Sequence, residues 1–326
     1  MNFSFVSQKG DALPLVQQLL KEGHTVSMYV ESKSARARIN GLCTVAKVPY
    51  LGSDAVIVFD SPGGGASADT LRRNGNLVLG SSEFSDSIQL IPGYDNTLLG
   101  MAECSALPTT YDLEAWFNGE DWIVGMTNVS VVERRFLTGG LGVAVDFGGL
   151  TSCFFKRYRP SCFKDTLYKL GRFLKKVEYR GPIAIRNGKL EGGFSPAMLH
   201  VYPLLLNIEI GKLLSETAKG TLKKVVTSSD YVIAARTTLP PFPYGESNWD
   251  EMAAVVGPTI SEIRYTLNKN LHDMKFPPDI QYRTDIGVAA QKIIPNLLKE
   301  DTVSGRIPKV INDRGRNEST TAAAVN

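Results

Sequence analysis

Residues 2–30 narrow the possible folds of this chain more than any other stretch, because they alternate strand, helix and strand. Asn2–Ser7 (NFSFVS) has the composition of a short strand and runs into the polar turn Gln8-Lys9-Gly10-Asp11. Leu13, Val16, Leu19 and Leu20 then recur at helical spacing, with Pro14 tolerated in the first turn and Asp11 placed to cap it. Gly23 closes the helix, and Thr25–Val30 (TVSMYV) is the next strand. Strands joined through a helix in this way pair naturally as neighbours in a parallel sheet. Ala55–Asp60 (AVIVFD) reads as a third strand of the fully buried kind, Ala68–Asn74 as a helix and Leu77–Leu79 as a fourth strand. Residues 1–90 are therefore predicted to form a doubly wound α/β domain.

The pattern changes after that. Ser81–Thr110 reads as irregular and contains Pro92-Gly93 and Leu107-Pro108. Tyr111–Val132 reads as antiparallel strands around the turn Asn118-Gly119, with Trp116 and Trp122 on either side. A glycine-rich segment follows at Thr138–Leu150. Cys162–Val177 is an amphipathic helix with basic residues near its end, and Pro182–Ile185 pairs with Lys189–Phe194 around Asn187-Gly188. Leu199–Leu214 has the apolar content of one helix. The stretch from Thr227 to Leu298 is α+β, with a helix at Thr259–Met274 that Thr259 or Ser261 can cap. The predicted organisation is a domain at 1–90, a connector at 91–110, a second lobe at 111–226, a small C-terminal α+β domain at 227–300 and a polar tail at 301–326.

Composition excludes several roles. The net charge of +3 with no polybasic run argues against nucleic acid or a membrane surface as partner. Cys43, Cys104, Cys153 and Cys162 form no C-x-x-C pair, and His24, His200 and His272 are scattered. Neither a zinc site nor a disulfide framework is expected, and reduced cysteines suit a cytoplasmic location. The first residues lack the apolar core of a signal peptide, and no run approaches the ~18 apolar residues of a membrane span.

Several short strings can carry chemistry, each with a plainer structural reading beside it. Gly10-Asp11 follows the first strand, where a phosphate can meet a helix start; the absence of a G-x-G-x-x-G pattern favours a plain strand-to-helix turn. Asp60-Ser61-Pro62-Gly63-Gly64-Gly65 stands at the carboxyl end of the third strand, the edge where open α/β sheets bind ligands, or is a flexible loop. Arg134 and Arg135 can grip a phosphate or carboxylate bidentately, or form a solvated charged edge. Gly139-Gly140-Leu141-Gly142 permits close approach of backbone to a ligand, or makes a loose turn. Glu191 can offer oxygen to magnesium, but Gly192–Ala197 supplies no second carboxylate or amide. In Tyr282-Arg283-Thr284-Asp285-Ile286-Gly287 an Arg–Asp pair sits in a turn. No P-loop and no Ser/His/Asp or Cys/His arrangement can be assembled.

Taken together and in order, five strings resemble phosphoribosylamine–glycine ligase, an ATP-grasp family. SQKGDALPLVQQLLKEGHTVSMYV is similar to its opening, and DTLRRNGNLVLGSSEFSDSIQL to the end of its first domain. LEAWFNGEDWIVGMTNVSVVERRFLTGGLG and YRGPIAIRNGKLEGGFSP resemble parts of its second ATP-grasp lobe. KFPPDIQYRTDIGVAAQ resembles its C-terminal domain. The resemblance implies ATP and magnesium as cofactors and a reaction in which ATP activates a carboxylate for attack by an amine. It places Gly10 and Asp11 near a sugar-phosphate substrate, and Arg134, Arg135 and the loop from Gly139, with Gly140 and Gly142, near phosphates. Gly63, Gly64 and Arg283 complete the candidate set.

The chain also departs from that family. Only residues 91–110 stand where the family has an entire ATP-gripping lobe. The run Gly142-Val143-Ala144-Val145-Asp146 lacks the asparagine of the family's glycine loop, and Gly193 occupies its metal-binding glutamate position unless Glu191 substitutes. The expectation is a catalytically inactive relative kept for binding, scaffolding or structure, with a sugar phosphate, a nucleotide or a protein as partner. The alternative is an active ATP-dependent carboxylate–amine ligase acting on glycine or a similar amino acid.

Overall fold

The computed structural model describes residues 1–33, 36, 41–46, 54–90, 112–155, 164–186, 189–238, 250–274 and 280–303. The chain divides into two compact units. The first takes in Met1–Val129, Phe154–Arg159 and Phe163–Ser228; the second takes in Ser130–Cys153, Pro160–Cys162 and Ser229–Asn326. The predicted connector at 91–110 lies outside the described residues, as does the tail beyond 303.

The first unit opens with the parallel sheet anticipated from the sequence. Its strands are β1 (Asn2–Ser7), β2 (Thr25–Val30), β3 (Thr44–Val45), β4 (Ala55–Phe59) and β5 (Leu77–Leu79), in the order β3-β2-β1-β4-β5. Phe3 of β1 pairs with Val26 on one side and Val56 on the other, so β1 is central. Every residue of β4 is buried, as a continuous apolar run in a doubly covered sheet requires. The helix Leu13–Lys21 buries Leu15, Val16 and Leu19 and carries its proline in the first turn, as predicted. Its cap differs from expectation. Ala12 is the N-cap residue with no side-chain cap, and the Asp60 carboxylate accepts the Ala12 N–H at 2.9 Å. An acid from the end of β4 thus serves the position assigned to Asp11. Neither the two-residue β3, too short to carry periodicity, nor the helix Glu83–Leu90, which begins the stretch read as irregular, was foreseen.

The remainder of the first unit contains β6 (Asp112–Phe117), the start of β7 (Trp122–Leu137), β9 (Gly181–Arg186) and β10 (Lys189–Gly192), neighbours in the order β10-β9-β6-β7. The turn between β6 and β7 falls at Asn118–Asp121, and the Asn118 side-chain oxygen accepts the N–H groups of Glu120 and Asp121. Trp116 and Trp122 are buried, and each indole N–H donates at 2.9 Å, to the Tyr202 hydroxyl and to the Leu167 carbonyl respectively. Burial of these rings is favourable only because their polar edges are satisfied. The single helix expected over Leu199–Leu214 is broken into Pro196–Leu199, Tyr202–Leu205 and Ile210–Lys219. Pro203 starts a new turn because it has no N–H to continue an old one. At Ile210 the helix restarts on a distant acid: the Glu22 carboxylate accepts the N–H groups of Ile210 and Gly211 at 2.9 and 2.8 Å.

In the second unit the order is β7-β8-β11-β12, with β8 at Leu141–Phe155, β11 at Tyr231–Thr238 and β12 at Asp250–Gly257. Tyr231 of β11 pairs antiparallel with Cys153 of β8 and with Gly257 of β12. Most of the predicted glycine-rich loop is therefore strand. Only Thr138–Gly140 turns, and Gly139 and Gly140 both have positive φ (76° and 72°), which lets two long strands reverse tightly. The helix Ile260–Asp273 buries Ile260, Ile263, Leu267 and Leu271 on one face, and the Thr259 hydroxyl caps it by accepting the Glu262 N–H at 3.2 Å. Among the described residues no helix is long and apolar enough to cross a membrane.

Candidate functional site

In the first sheet, β1, β2 and β3 step one way across the order and β4 and β5 step the other way. Reversal between β1 and β4 leaves a crevice at their carboxyl ends, the position where open α/β sheets take ligands. A cleft of about 620 Å³ lies there. Val6, Ser7 and Gln8 line it from the end of β1, Tyr29 and Glu31 from β2, and Phe59, Ser61 and Pro62–Gly64 from β4 and its loop. Ala66, Ser67, Thr70 and Leu71 close it from the helix Gly65–Arg73.

Local hydrogen bonds fix these loops to one another. The backbone N–H of Gln8 donates to the Ser61 hydroxyl at 3.0 Å, and its side-chain amide donates to the Pro62 carbonyl at 2.6 Å. Gly10 donates its N–H to the Ser7 hydroxyl at 2.7 Å. Backbone conformation calls for glycine at the first of the two cleft positions, Gly63, and crowding at the second, Gly64. Gly63 has a φ of 98°, and a Cβ there would stand 2.8 Å from the Gln8 amide nitrogen; one at Gly64 would stand 2.6 Å from the Phe59 ring. Both glycines line the cleft. Gly10 and Asp11 belong to the turn that borders it but are not among its lining residues.

Asp60 is 2% exposed at this junction. Its carboxylate accepts from the Ala12 N–H and from the Ser61 hydroxyl, both at 2.9 Å. Its pKa is raised to about 7: burial and, to a smaller extent, the charge of Asp11 push it up, and the hydrogen bonds from Ser7, Ala12 and Ser61 offset part of the rise. Glu31 differs from it. It is exposed, and among the described residues no hydrogen bond or ion pair reaches its carboxylate. Next to it, the Arg36 guanidinium lies 5.7 Å from the Tyr29 ring centre and donates to the backbone carbonyls of Val30 and Glu31.

The remaining arginine and glycine candidates gather in the second unit. Arg283 is 3% exposed at its side chain. It binds both carboxylate oxygens of Asp285, through Nε at 2.9 Å and Nη2 at 2.8 Å, and approaches Glu133 at 3.3 Å. Its Nη1 donates to the Arg135 carbonyl at 2.8 Å, and Asp285 also accepts the Gly139 N–H at 2.8 Å. The buried guanidinium thereby holds the β7–β8 turn to the Tyr282–Gly287 segment. Burial drives the Glu133 carboxyl above its usual range, although Arg283 partly offsets this. For Asp285 burial also acts upward, but the hydrogen bonds from Arg283 and Gly139 and the charge of Arg283 outweigh it, so its pKa is lowered. Arg134 is half-buried, Arg135 and Gly140 are exposed, and Gly142 lies on β8. Glu191 lies on β10 in the first unit, where its backbone pairs with Ala184. Among the described residues no group of three or more His, Cys, Asp or Glu could hold a metal ion.

The structure thus gathers Gly63 and Gly64 beside Gly10 and Asp11 in one unit, and Arg135 and Arg283 with the glycine turn in the other. Sequence reasoning missed Tyr29 and Glu31. A signal for Glu31 was present: an acidic residue just past β2, about 20 residues beyond the first strand-to-helix turn, is where dinucleotide folds hold a ribose hydroxyl.

No family model and no curated protein matches the sequence. Solved structures do match its fold. Phosphoribosylamine–glycine ligase from Thermotoga maritima is similar over 87% of this chain and 100% of that one, at 12% identity and a TM-score of 0.56. The biotin carboxylase subunit of pyruvate carboxylase is similar over 86% and 92%, at 9% identity and a TM-score of 0.51. Likeness at such identities shows architecture alone. The chain has the α/β fold that these two enzymes share, in agreement with the ATP-grasp architecture expected from its sequence.

Proposed function

We propose that this chain is a binding protein on an ATP-grasp ligase scaffold, one that holds the sugar of a sugar phosphate or nucleotide in the cleft of its first unit without ATP-dependent ligation. The observation that carries this reading is the cleft itself. It stands at the strand-order reversal, it is rich in hydroxyls from Ser7, Tyr29, Ser61, Ser67 and Thr70, and two glycines let backbone approach its occupant. An anionic group fits at the start of the helix Gly65–Arg73, where first-turn N–H groups and the helix dipole favour negative charge. Asp86 already accepts the Gly65 N–H at 2.6 Å, which leaves those of Ala66 and Ser67 for the ligand. The inactive half of the reading rests on the sequence departures: the short 91–110 connector, the missing asparagine after Gly142 and the glycine at 193.

Titration calorimetry and thermal unfolding test both halves. Ribose 5-phosphate at millimolar concentration is expected to raise the unfolding temperature, because a ligand at about 100 times its Kd stabilises the folded state by about 2.7 kcal/mol. ATP with magnesium is expected to give no heat. An absent shift with ribose 5-phosphate overturns the cleft assignment. ATP-dependent turnover that disappears in Arg135→Ala establishes the ligase instead.

A further inference from the structure

We infer that the outer face of the helix Lys164–Lys176 is a docking surface for a single strand of nucleic acid. None of its residues lines the cleft, and the inference does not rest on the reading of the cleft as a sugar site.

The net charge of +3 conceals a strong local excess. Residues 156–180 carry nine lysines and arginines against two acids, a net charge of +7, so the rest of the chain carries −4. The overall balance argues against a polyanionic partner; this distribution argues for one. Between the cations stand the aromatic residues Tyr158, Phe163, Tyr168, Phe173 and Tyr179.

The helix is fixed by its inner face. Leu167, Leu170 and Leu174 are buried, and the Leu167 carbonyl accepts the Trp122 indole N–H at 2.9 Å. A Cβ at Gly171 would stand 3.1 Å from that indole nitrogen, so the helix lies close against the ring. The opposite face is left to solvent. Tyr168, Arg172 and Lys176 follow one another at i, i+4 spacing and form one ridge. Tyr168 is 54% exposed, and Phe173, beside that ridge, is 36% exposed. The Phe173 ring stacks on Phe84 with 6.2 Å between ring centres, and the Lys176 Nζ stands 5.7 Å from it. Acids do not neutralise these cations. Among the described residues no carboxylate pairs with Arg172 or Lys176, and Lys175 reaches the exposed Glu120 only at 4.0 Å.

The apolar part of the helix decides which polyanion fits. A helix that enters a bilayer interface does so with a continuous apolar face. Here the aliphatic row of Leu167, Leu170 and Leu174 is buried in the protein, and what remains outside is rings set among cations. An exposed ring can stack on an unpaired base while the cations beside it meet the flanking phosphates. In a duplex the bases are already stacked on one another, so the rings have nothing to take. The surface therefore fits a single strand, and stacking makes it tolerant of sequence.

Fluorescence anisotropy of a labelled single-stranded RNA of about 15 nucleotides and mixed sequence, titrated with the full chain, tests this. Binding in the micromolar range is expected at about 50 mM salt. With three phosphate contacts, from Arg172, Lys175 and Lys176, affinity is expected to fall about 15–20-fold by about 200 mM salt, a logarithmic slope of about −2. The duplex of the same sequence is expected to bind at least about tenfold more weakly. Tyr168→Ala is expected to weaken the single strand at least about fivefold with an unchanged salt slope, and Arg172→Ala to reduce the slope by about 0.7. Both side chains are exposed, so both variants are expected to unfold at the temperature of the parent. No binding at the lower salt, a duplex held as tightly as the single strand, or a Tyr168→Ala chain that binds like the parent overturns the inference. Binding to vesicles of phosphatidylserine and phosphatidylcholine that RNA does not compete with assigns the face to a membrane instead. Displacement of the RNA by ribose 5-phosphate moves it to the cleft and overturns the assignment to the helix, whereas the cleft reading stands or falls on ribose 5-phosphate alone.

Discussion

Asp60 in the first unit and Asp285 in the second are both carboxylates that accept a backbone N–H near a turn, yet their acidities move in opposite directions. Asp60 is enclosed, meets hydroxyls and an N–H, and has a second acid, Asp11, as its charged neighbour. Asp285 meets a guanidinium that grips both of its oxygens. Neutral donors reduce the penalty of burying a carboxylate, but a cation reverses it. The second unit thus uses charge pairing to join distant segments, whereas the first keeps an uncompensated acid under a cleft.

The most severe way to break this comparison is to remove the cation. Arg283→Ala leaves Glu133 and Asp285 facing one another without a counter-charge, and a loss of about 5 kcal/mol is expected, the upper end for a broken buried pair. Urea unfolding measures it, and a loss below about 1 kcal/mol shows that the guanidinium is dispensable. Adding Glu133→Gln to that variant is expected to restore part of the loss.

A pH series sharpens the contrast. The Asp60 pKa rises from 3.8 in the unfolded chain to about 7 in the folded one. Between those values the folded chain keeps a proton that the unfolded chain releases. Stability from this group is therefore full below about pH 4, declines as pH rises and is gone above about pH 7, a change of roughly 4 kcal/mol in all. Asp285, with its lowered pKa, acts the other way and lower down: its contribution is present above its ordinary value and is lost as pH falls beneath it. Asp60→Asn is expected to abolish the decline between pH 4.5 and 7.5 in urea unfolding. An unchanged slope in that variant assigns the effect to another group.

The mildest test uses a cap with no charge at all. Thr259→Ala removes the hydroxyl that accepts the Glu262 N–H and is expected to cost about 1 kcal/mol in the same assay. A cost near that of Arg283→Ala would erase the distinction between charged and neutral anchors.

What could be read in advance was what depends on neighbours in sequence. The β1–helix–β2 start, the turn at Asn118, the paired β9 and β10 and the Thr259 cap all follow from residues within a few positions of each other. The Arg283–Asp285 pair was visible for the same reason. Its third partner, Glu133, was not, because it lies 150 positions away. The restart of the helix at Ile210 depends on Glu22, which is equally remote. Glycines misled in one place and informed in another. The run after Gly140 looks like a loop by composition but pairs as β8, because backbone hydrogen bonding to neighbouring strands overrides a weak local preference. At Gly63 and Gly64 composition agrees with backbone conformation and crowding, and the site lies where the strand order places it.

The bond from Glu22 to the start of Ile210–Lys219 has a consequence for how the molecule is made. Residue 22 leaves the ribosome long before its partner, which is 188 positions downstream. At a synthesis rate of about 5–20 residues per second, that gap lasts about 10–40 s. Throughout it the nascent opening helix has no acceptor duty to perform, and the parallel sheet lacks part of its cover. The first unit cannot be finished in order of emergence, because the strands of the second interrupt it in sequence. Its completion is thus a late event of translation, exposed in the meantime to chaperones and proteases.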